Sequence, residues 1–442
     1  MHNKKTIFII SLLLSGCSAM DKQKEKLPGQ RIPAYAVSQS VQVDNEIHRM
    51  EYKQSEPLMT TWSSSKYPKE AFGHDIFLKL DSLKAKKIYN LNVDRYAPVT
   101  TPITSEKYLF ILSNNGVLEA IDLKSNKKVW LNKDLIKNPS LSKLISSDKT
   151  VFGGMLYHNG SIILTCGMKA VISLDAETGK LKWSKEVSTI LRSVPTVSEN
   201  KVFVQGVNNN VYAIDLDTGE LIWSYLGSKG SEIGPLDPAV LGVSGSNIVS
   251  SQAGNEIHGL DKETGAEVWR YVFYDLYSGN AELLLAPKNN IQIAAQGNMI
   301  YAVHPNGKAI ALQADGSLIW ELNLSSASHF WISDGLIFFL TKDENAVAVD
   351  AKTGKVKWAQ SITQFITTNK KGQRPAYIDQ PIVINQAVIV FSSNGLAHKL
   401  DFNTGKYLGV TTISKSISNP VIVSNGDLFI ADKRGLTRMM SE

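Results

Sequence analysis

The chain has 442 residues, of which 43% are hydrophobic and 20% are charged. This composition supplies a packed core and excludes a wholly disordered, collagen-like or membrane-bundle protein. The formal net charge of +6 is small for this length and does not indicate a nucleic-acid-binding protein, and two cysteines exclude a disulfide scaffold.

The first residues are typical of a secreted bacterial lipoprotein. Two lysines precede a short apolar run, residues 6–14, which is too short to span a bilayer because that needs about 20 helical residues. The segment therefore predicts a lipoprotein signal peptide over residues 1–16. The tetrapeptide Leu-Ser-Gly-Cys ending at Cys17 resembles a lipobox, which predicts lipidation of Cys17. Ser18 favours the outer membrane, with the chain lipid-anchored at its periplasmic face, while an ordinary signal with an incidental cysteine is the alternative.

Residues 17–75 show no regular hydrophobic period. The stretch begins with charged residues and continues with scattered proline, serine and glutamine. Such a composition is typical of an extended linker. We therefore expect a lipidated N-terminus followed by a flexible tether across this range.

A repeated phrase, approximately Ala-x-Asp-x-x-Thr-Gly-x-x-x-Trp, dominates the rest of the chain. Clear copies occupy residues 173–183, 213–223, 259–269 and 348–358. Weaker copies occupy residues 81–89, 122–130, 313–320 and 401–409. Six of the eight tryptophans fall at the same repeat position, so we expect each of them to pack against the neighbouring unit.

Each copy predicts a β-hairpin. Apolar residues alternate before the aspartate and after the glycine, which is the period of a strand, and Asp and Thr-Gly are typical turn residues. A metal or acid–base role is the alternative for the acids, but their turn positions favour a structural role. The clearest turn residues are Asp175, Gly179, Asp215, Gly219, Asp261, Gly265, Asp350 and Gly354.

Each hairpin follows another strand pair, and the copies recur about every 46 residues. Four strands at this period predict the blade of a β-propeller, since solenoid repeats are usually shorter. The last copy is followed by three strands, and the first copy lacks its three inner strands. We therefore predict an all-β, eight-bladed propeller of four-stranded antiparallel blades over residues 76–440, closed by pairing N- and C-terminal strands.

The extra residues between copies lie in connections from an outer strand to the next inner strand, at 132–150, 273–290 and 361–379. All such connections emerge on one face, which becomes the expected binding surface. No zinc-protease, nucleophile-elbow or phosphate-loop motif is present in the sequence. We therefore predict neither catalytic nor metal-binding residues.

The repeated phrase resembles that of quinoprotein-type propellers, which include dehydrogenases that bind pyrroloquinoline quinone and calcium. Those enzymes typically carry a disulfide between adjacent cysteines over the cofactor, and this chain has no adjacent cysteines. A periplasmic quinone-dependent dehydrogenase remains an alternative interpretation. A lipoprotein that binds another envelope ligand is a second alternative.

The lipobox, the linker and the eight repeats together resemble the BamB-like lipoproteins of the outer-membrane β-barrel assembly machinery. The linker segment Leu-Pro-Gly-Gln-Arg-Ile at residues 27–32 is similar to alphaproteobacterial members. The resemblance implies a scaffold without enzymatic activity or cofactor that binds the periplasmic POTRA domains of BamA and assists barrel insertion. Unfolded barrel proteins are a further partner that it leaves open.

The resemblance also implies partner-binding residues. Leu191 and Arg192 match a Leu-Arg loop that contacts BamA in the family. Asp237 is the nearest match to a family acidic loop, although Pro235 stands where that loop has a second acid.

Overall fold

In the computed structural model, the described residues are 41–57, 61–64, 75–78, 80, 83–90, 100–113, 116–133, 135, 153–165, 169–228, 240–273, 291–305, 307–324, 327–341, 343–365, 381–417, 421–432 and 435–441. The predicted signal peptide 1–16, lipidation site Cys17 and partner-binding residue Asp237 lie outside them. So do most of the three long connections.

The strands form eight antiparallel sheets of four strands each, arranged as the blades of a propeller. This confirms the predicted all-β, eight-bladed architecture. The only α-helix described, α1 (Asn45–Arg49), and the first strand, β1 (Leu83–Asn90), precede blade 1. We number the blades along the chain, each from its inner strand to its outer strand.

Blade 1 consists of β2 (Ile103–Thr104), β3 (Tyr108–Leu112), β4 (Leu118–Asp122) and β5 (Lys128–Asn132). Blade 2 consists of β6 (Met155–His158), β7 (Ser161–Leu164), β8 (Ala170–Asp175) and β9 (Leu181–Glu186). Blade 3 consists of β10 (Thr196–Ser198), β11 (Lys201–Gln205), β12 (Val211–Asp215) and β13 (Leu221–Tyr225). Blade 4 consists of β14 (Gly242–Ser244), β15 (Asn247–Gln252), β16 (Glu256–Asp261) and β17 (Glu267–Val272).

Blade 5 consists of β18 (Gln292–Gln296), β19 (Met299–Val303), β20 (Lys308–Gln313) and β21 (Leu318–Asn323). Blade 6 consists of β22 (Ala327–Ser333), β23 (Leu336–Thr341), β24 (Asn345–Asp350) and β25 (Val356–Ser361), followed by a 3-10 turn at Thr363–Phe365. Blade 7 consists of β26 (Ile382–Ile384), β27 (Ala387–Ser392), β28 (Leu396–Asp401) and β29 (Tyr407–Thr412). Blade 8 consists of β30 (Ile422–Ser424), β31 (Asp427–Asp432), β32 (Gly435–Ser441) and β1.

Blade 8 closes the ring as predicted. Its outer strand β1 comes from the N-terminal side of the chain and pairs antiparallel with β32, from Leu83 opposite Ser441 to Asn90 opposite Gly435. The pairing joins the two ends of the propeller and leaves neither as an unpaired half-blade.

The hydrophobic core lies between neighbouring blades. Phe203 and Trp223 of blade 3, for example, pack with Ile248 and Leu260 of blade 4. The middle strands are buried on both faces, whereas the outer strands bury mainly the face that carries tryptophan. This difference follows from the position of each strand, because only the outer strand has a face toward solvent.

Each repeat tryptophan spans a blade boundary. The indole N–H of Trp223 donates to the carbonyl of Lys262 in the next blade, at 3.1 Å. Its ring lies against Gly265, where φ is +75° and a Cβ atom would fall 2.5 Å from Trp223 Cε3. Glycine suits this position because the backbone is left-handed and the ring occupies the side-chain space. The same arrangement recurs at Trp130, Trp183, Trp269, Trp320 and Trp358.

The repeat aspartates close the hairpin turns. Asp215 Oδ1 accepts hydrogen bonds from the backbone N–H of Thr218 at 2.8 Å and from its hydroxyl at 2.9 Å. The Gly219 N–H donates to the Asp215 carbonyl at 3.0 Å. The bonds from Thr218 hold the pKa of the Asp215 carboxyl below its ordinary value. The other turns are built alike, from Asp175 with Gly179, Asp261 with Gly265, and Asp350 with Gly354.

The N-terminal segment differs from the predicted tether, because residues 41–57 and 61–64 lie against the propeller. Helix α1 begins at the N-cap Asp44, whose Oδ1 accepts from the backbone N–H groups of Glu46 and Ile47 at 3.0 Å each. The Asp44 N–H itself donates to the carbonyl of Val356 at 2.9 Å. Such pairing with a strand hundreds of residues away leaves no periodic pattern in the local sequence. Among the described residues, no helix is both long and apolar enough to cross a membrane.

Candidate partner-binding face and central channel

The two ends of the ring carry different connections. One end, the turn face, carries the Asp-Thr-Gly hairpins and the hairpins between the first and second strands of each blade. The other end, the loop face, carries the connections from each outer strand to the next inner strand. Strand alternation in a four-stranded antiparallel blade requires this separation.

Leu191 and Arg192 lie on the loop face, in the connection between β9 and β10. Leu191 forms a bridge with Gly206 and is fully buried in the cluster between blades 2 and 3. Arg192 is only 1% exposed. The structure therefore brings the two residues together but presents neither on the surface, and their direct contact with a partner stays a prediction.

The guanidinium group of Arg192 links blades 3 and 4. Its Nε donates to the carbonyl of Gly206 at 3.3 Å, and its Nη2 donates to Asn209 Oδ1 and to the carbonyl of Ser251, both at 3.4 Å. Burial lowers the pKa of Arg192 to about 10, which leaves the side chain charged at neutral pH. A buried charge is costly unless hydrogen bonds compensate it. These hydrogen bonds join the turn after β11, which carries Gly206 and Asn209, to Ser251 of blade 4.

Neighbouring amide side chains extend this link to the loop after β13. Gln205 Nε2 donates to the carbonyl of Ser251 at 2.7 Å, and Gln252 Nε2 donates to the carbonyl of Asn209 at 3.2 Å. Asn209 Nδ2 donates to the carbonyl of Ser228 at 3.3 Å, while the Ser228 N–H donates to Gln252 Oε1 at 3.0 Å. The loop is thereby held from two blades at once.

Leu226 stands out from this polar network. Its side chain is 79% exposed, the largest value among the exposed large hydrophobic residues of the described chain. On one side, the Ser228 hydroxyl donates to Glu256 at 3.1 Å. On the other, Tyr225 hydrogen-bonds His258, which in turn bonds Glu256, at 2.9 and 2.7 Å. These hydrogen bonds hold the loop that carries the exposed Leu226 side chain.

The sequence analysis predicted neither this hydrogen-bond network nor the exposure of Leu226. The run of asparagines at residues 208–210 and the Gly227 that follows Leu226 indicate turns, but neither reveals that the two turns are hydrogen-bonded across a blade boundary. The family resemblance that suggested Leu191 and Arg192 likewise does not indicate how deeply each side chain is buried.

The turn face is crossed by residues 41–57, which we call the strap. The hydroxyl of Tyr52 donates to the carboxylate of Asp350, and the Tyr52 N–H donates to Asn403 Oδ1 at 2.9 Å. Burial and the adjacent Asp350 carboxylate raise the pKa of the Tyr52 phenol. The strap thus binds directly to the repeat turns of blades 6 and 7.

Lys357 of β25 holds the helix of the strap. Its ammonium group donates to the carbonyls of Ile47, His48 and Met50, where the carbonyl end of α1 favours a cation. It also lies 5.0 Å from the centroid of the Tyr52 ring. Lys357 is 1% exposed, and burial lowers the pKa of its ammonium group.

Trp62 enters the central channel beyond the strap. It is fully buried and stacks on Trp331 of β22, with ring centroids 6.4 Å apart and planes inclined by 19°. Its backbone pairs with β2, because the Thr104 N–H donates to the Trp62 carbonyl at 2.8 Å and the Trp62 N–H donates to Thr104 Oγ1 at 2.7 Å. One residue therefore joins the inner strands of blades 1 and 6.

The next two residues add to the inner edge of β6. The Tyr157 N–H donates to the carbonyl of Ser63 at 2.7 Å, and Ser64 forms an antiparallel bridge with Leu156. The chain's own extended segment thus pairs with an inner strand through main-chain hydrogen bonds.

A second stretch, residues 75–78, lies along blade 7. Ile76 forms a parallel bridge with Ile384 of β26. Asp75 is fully buried, and its Oδ2 accepts from the Gln386 N–H at 2.6 Å. Burial raises the pKa of Asp75 to about 7.

The inner strands β10, β14 and β18 border a cavity of about 350 Å³. Ser63, Ser64 and β6 form its other border. No Asp, Glu, Lys or Arg is among the residues that line it. Along the chain, β10 pairs with β11, β14 with β15 and β18 with β19.

This lining does not fit the quinone and calcium implied by the quinoprotein resemblance. Calcium sites are usually built with carboxylates, and the cavity lining supplies none. Across the described residues, no group of three or more His, Cys, Asp or Glu could hold a metal ion.

Known proteins with similar sequences and structures indicate the family of this propeller. A family model described as outer membrane protein assembly factor BamB matches residues 142–360 and 230–440. BamB of Moranella endobia is 23% identical over 337 residues, which cover 75% of this chain and 81% of the relative. The crystal structure of BamB from Moraxella catarrhalis superposes with a TM-score of 0.56 at 17% identity, over 81% of this chain and 96% of that one.

A similarity to quinoproteins is also present, and the putative dehydrogenase XoxF of Paracoccus denitrificans is 24% identical over 310 residues, which cover 65% of this chain and 44% of the enzyme. The lanthanide-dependent methanol dehydrogenase of Methylorubrum extorquens is 27% identical over 185 residues, which cover 37% of this chain and 30% of the enzyme. The two matches to the assembly-factor model overlap and together cover more than half of the chain. The chain therefore belongs to the BamB family of outer membrane protein assembly factors.

Proposed function

We propose that this protein is a non-enzymatic scaffold lipoprotein of the outer-membrane β-barrel assembly machinery. In this proposal Cys17 carries the lipid that anchors the chain at the periplasmic face of the outer membrane, and the propeller binds the POTRA domains of BamA to assist barrel insertion. The observation that carries the proposal is the match of the BamB family model to residues 142–360 and 230–440.

The proposed interface lies on the loop face of blades 3 and 4. Leu226 is its apolar contact, and Asp237, later in the same connection between β13 and β14, is its acidic contact. Leu191 and Arg192 act behind this surface, because they are buried and fix the loops that present it. An apolar anchor of this size contributes about 1.5–3 kcal/mol when it is fully buried by a partner.

The test is to measure, by calorimetry, how tightly the purified protein binds soluble POTRA domains of BamA. Leu226→Asp should weaken binding at least about tenfold, since a carboxylate would replace the anchor in the contact. The matched control is Val268→Asp, at a rim position of β17 that is 58% exposed, and it should bind within about twofold of the unaltered protein. Both variants should keep the unaltered melting temperature within a few degrees. Equal binding by both variants would refute the interface, and absence of binding by the unaltered protein would refute the function.

A quinone-dependent dehydrogenase is the competing function, favoured by the similarity to methanol dehydrogenase over 37% of the chain. Incubation with pyrroloquinoline quinone and calcium, followed by dye reduction with alcohols, separates the two functions. We expect no turnover above the protein-free background. Sustained turnover would overturn the scaffold proposal.

A further inference from the structure

His258 of β16 lies behind the loop that carries Leu226, and its side chain is fully buried. Its Nε2 atom lies 2.7 Å from Glu256 Oε2. Its Nδ1 atom lies 2.9 Å from the hydroxyl group of Tyr225 and 3.3 Å from Glu267 Oε2. One imidazole ring is thus held between two carboxylates.

The hydrogen atoms available to these groups decide the protonation state of the ring. An ionised carboxylate only accepts hydrogen bonds, so the hydrogen between His258 and Glu256 belongs to Nε2. The Tyr225 hydroxyl has one hydrogen, which it donates to Glu267 at 2.5 Å. It has none left for His258, so Nδ1 must donate to the phenol oxygen. Because both ring nitrogens then carry hydrogen, the ring is an imidazolium cation.

The charges around the ring agree with this assignment. Burial opposes the charged form of an imidazole, but two adjacent carboxylates favour it. Burial and the hydrogen bond to Glu267 raise the pKa of the Tyr225 phenol, so its hydrogen stays in place. Burial also raises the pKa of Glu267, but the Tyr225 hydroxyl and nearby positive charges hold it below its ordinary value. Arg270 of β17 hydrogen-bonds Glu267, and Ser250 of β15, opposite His258, is uncharged.

The ring is connected to the loop on both sides of Leu226. Tyr225, which contacts Nδ1, directly precedes Leu226 at the end of β13. Ser228 follows Leu226 by two residues and donates its hydroxyl to Glu256 Oε2, the oxygen that also accepts from Nε2. If the ring of His258 lost one hydrogen, one nitrogen would face an acceptor without a hydrogen bond, which is costly in a buried site. The placement of Leu226 should therefore depend on the charge of this ring.

We infer that His258 is a positioning residue, whose imidazolium form holds the Leu226 loop in the geometry that binds the partner protein. Only the doubly protonated ring satisfies the contacts to Tyr225 and Glu256 together. Partner binding should therefore be strongest while the ring is charged and should weaken as rising pH removes its proton. Naming the partner as the POTRA domains of BamA rests on the proposed function, whereas the protonation state of His258 does not.

The first test reads the ring directly in the unaltered protein. Nuclear magnetic resonance of nitrogen-labelled histidine distinguishes an imidazolium ring from a neutral one, and through-space contact with the Tyr225 ring identifies the signals of His258. At about pH 7.5 an ordinary histidine is mostly neutral, whereas both nitrogens of His258 should still carry hydrogen. A neutral His258 ring at this pH would overturn the inference.

The second test measures POTRA binding by calorimetry at about pH 7.5 and about pH 9.5. The affinity of the unaltered protein should fall about three- to tenfold across this range. His258→Gln cannot carry the charge, so it should bind weakly at both pH values. The matched control is His398→Gln, because His398 occupies the equivalent position of blade 7 but hydrogen-bonds Tyr407, and burial lowers the pKa of its imidazole. This control should bind as the unaltered protein does at both pH values.

The outcomes separate this inference from the proposed function. Circular dichroism should show that both variants are folded. In the unaltered protein, the fall in affinity should have the same midpoint as the loss of the His258 proton, a comparison that needs no variant. POTRA binding that does not change between the two pH values would refute the role of His258 and leave the proposed function standing. Absence of POTRA binding at both pH values would refute the proposed function, while the resonance experiment would still decide the charge of His258.

Discussion

The rim and the channel of this propeller are stabilised in different ways. At the rim, six blade boundaries carry the same contact, a tryptophan indole that donates to a backbone carbonyl of the next blade and covers a turn glycine. In the channel, residues 61–64 and 75–78 contact the inner strands of blades 1, 2, 6 and 7, and each of their contacts is unique.

The rim contacts are therefore redundant, whereas the channel contacts are not. A repeated rim contact can be lost at one boundary while the other boundaries retain theirs. The contacts of residues 61–64 and 75–78 in the channel have no second copy. A variant that removes a channel contact should therefore lose more unfolding free energy than one that removes a rim contact. It should also change hydrogen exchange in more than one blade.

The largest effect is expected for Trp62→Ala. Removing a fully buried indole that stacks on Trp331 should lower the free energy of unfolding by about 3–5 kcal/mol. Trp269→Ala on the rim is the control and should cost less, because Trp269 is only half-buried. Chemical denaturation measures both, and hydrogen exchange should show faster exchange at β2 and β6 only in Trp62→Ala. A larger loss for Trp269→Ala would contradict the comparison.

An intermediate effect is expected for Gly265→Ala. The added Cβ would lie 2.5 Å from Trp223 Cε3, and the alanine backbone would have to adopt φ of +75°. Gly160→Ala is a matched control, with φ of +74° and no atom within 4 Å of the added Cβ. The control should cost about 1–2 kcal/mol through backbone conformation alone, and Gly265→Ala should cost about 1–3 kcal/mol more through overpacking. Equal melting temperatures for the two variants would show that the rim contact is not tight.

The smallest effect is expected for Asp75→Asn and concerns pH. The pKa of Asp75 is about 7 in the folded protein and near its ordinary value of about 4 when unfolded. Between those values the folded state binds more protons, so this group makes stability fall as pH rises from about 4 to 7. The melting temperature should therefore drop less from pH 5 to pH 8 in Asp75→Asn than in the unaltered protein. Asp217→Asn, at an exposed turn position, should leave the drop unchanged, and identical pH profiles for all three proteins would contradict the burial of Asp75.

Most of the ring was predictable because its signals are local and repeated. Asp215, Thr218 and Gly219 lie within a few residues of one another, so turn chemistry indicates the hairpin directly. The alternation that ends in Trp223 likewise predicts an outer strand. Even the pairing of β1 with β32 follows from counting strands, since one incomplete unit stands at each end of the repeats.

The contacts in the channel and the burial of the loop residues could not be predicted from local, repeated signals. Trp62 meets Trp331, and Tyr52 meets Asp350, across nearly 300 positions of sequence, and neither contact recurs in another repeat. A flexible tether was therefore the simpler prediction for a segment whose residues 41–57 in fact bind blades 6 and 7. Arg192 shows the related limit, since a motif match identifies a loop but does not say that the guanidinium group turns inward.

We propose that this propeller is a component of the barrel assembly machinery. Affinity purification of the native lipoprotein from detergent-solubilised membranes, followed by mass spectrometry, tests it most directly. We predict that BamA is the main co-purified protein and that Leu226→Asp loses it while Val268→Asp retains it. Recovery of the folded propeller without BamA would contradict its assignment to this machinery.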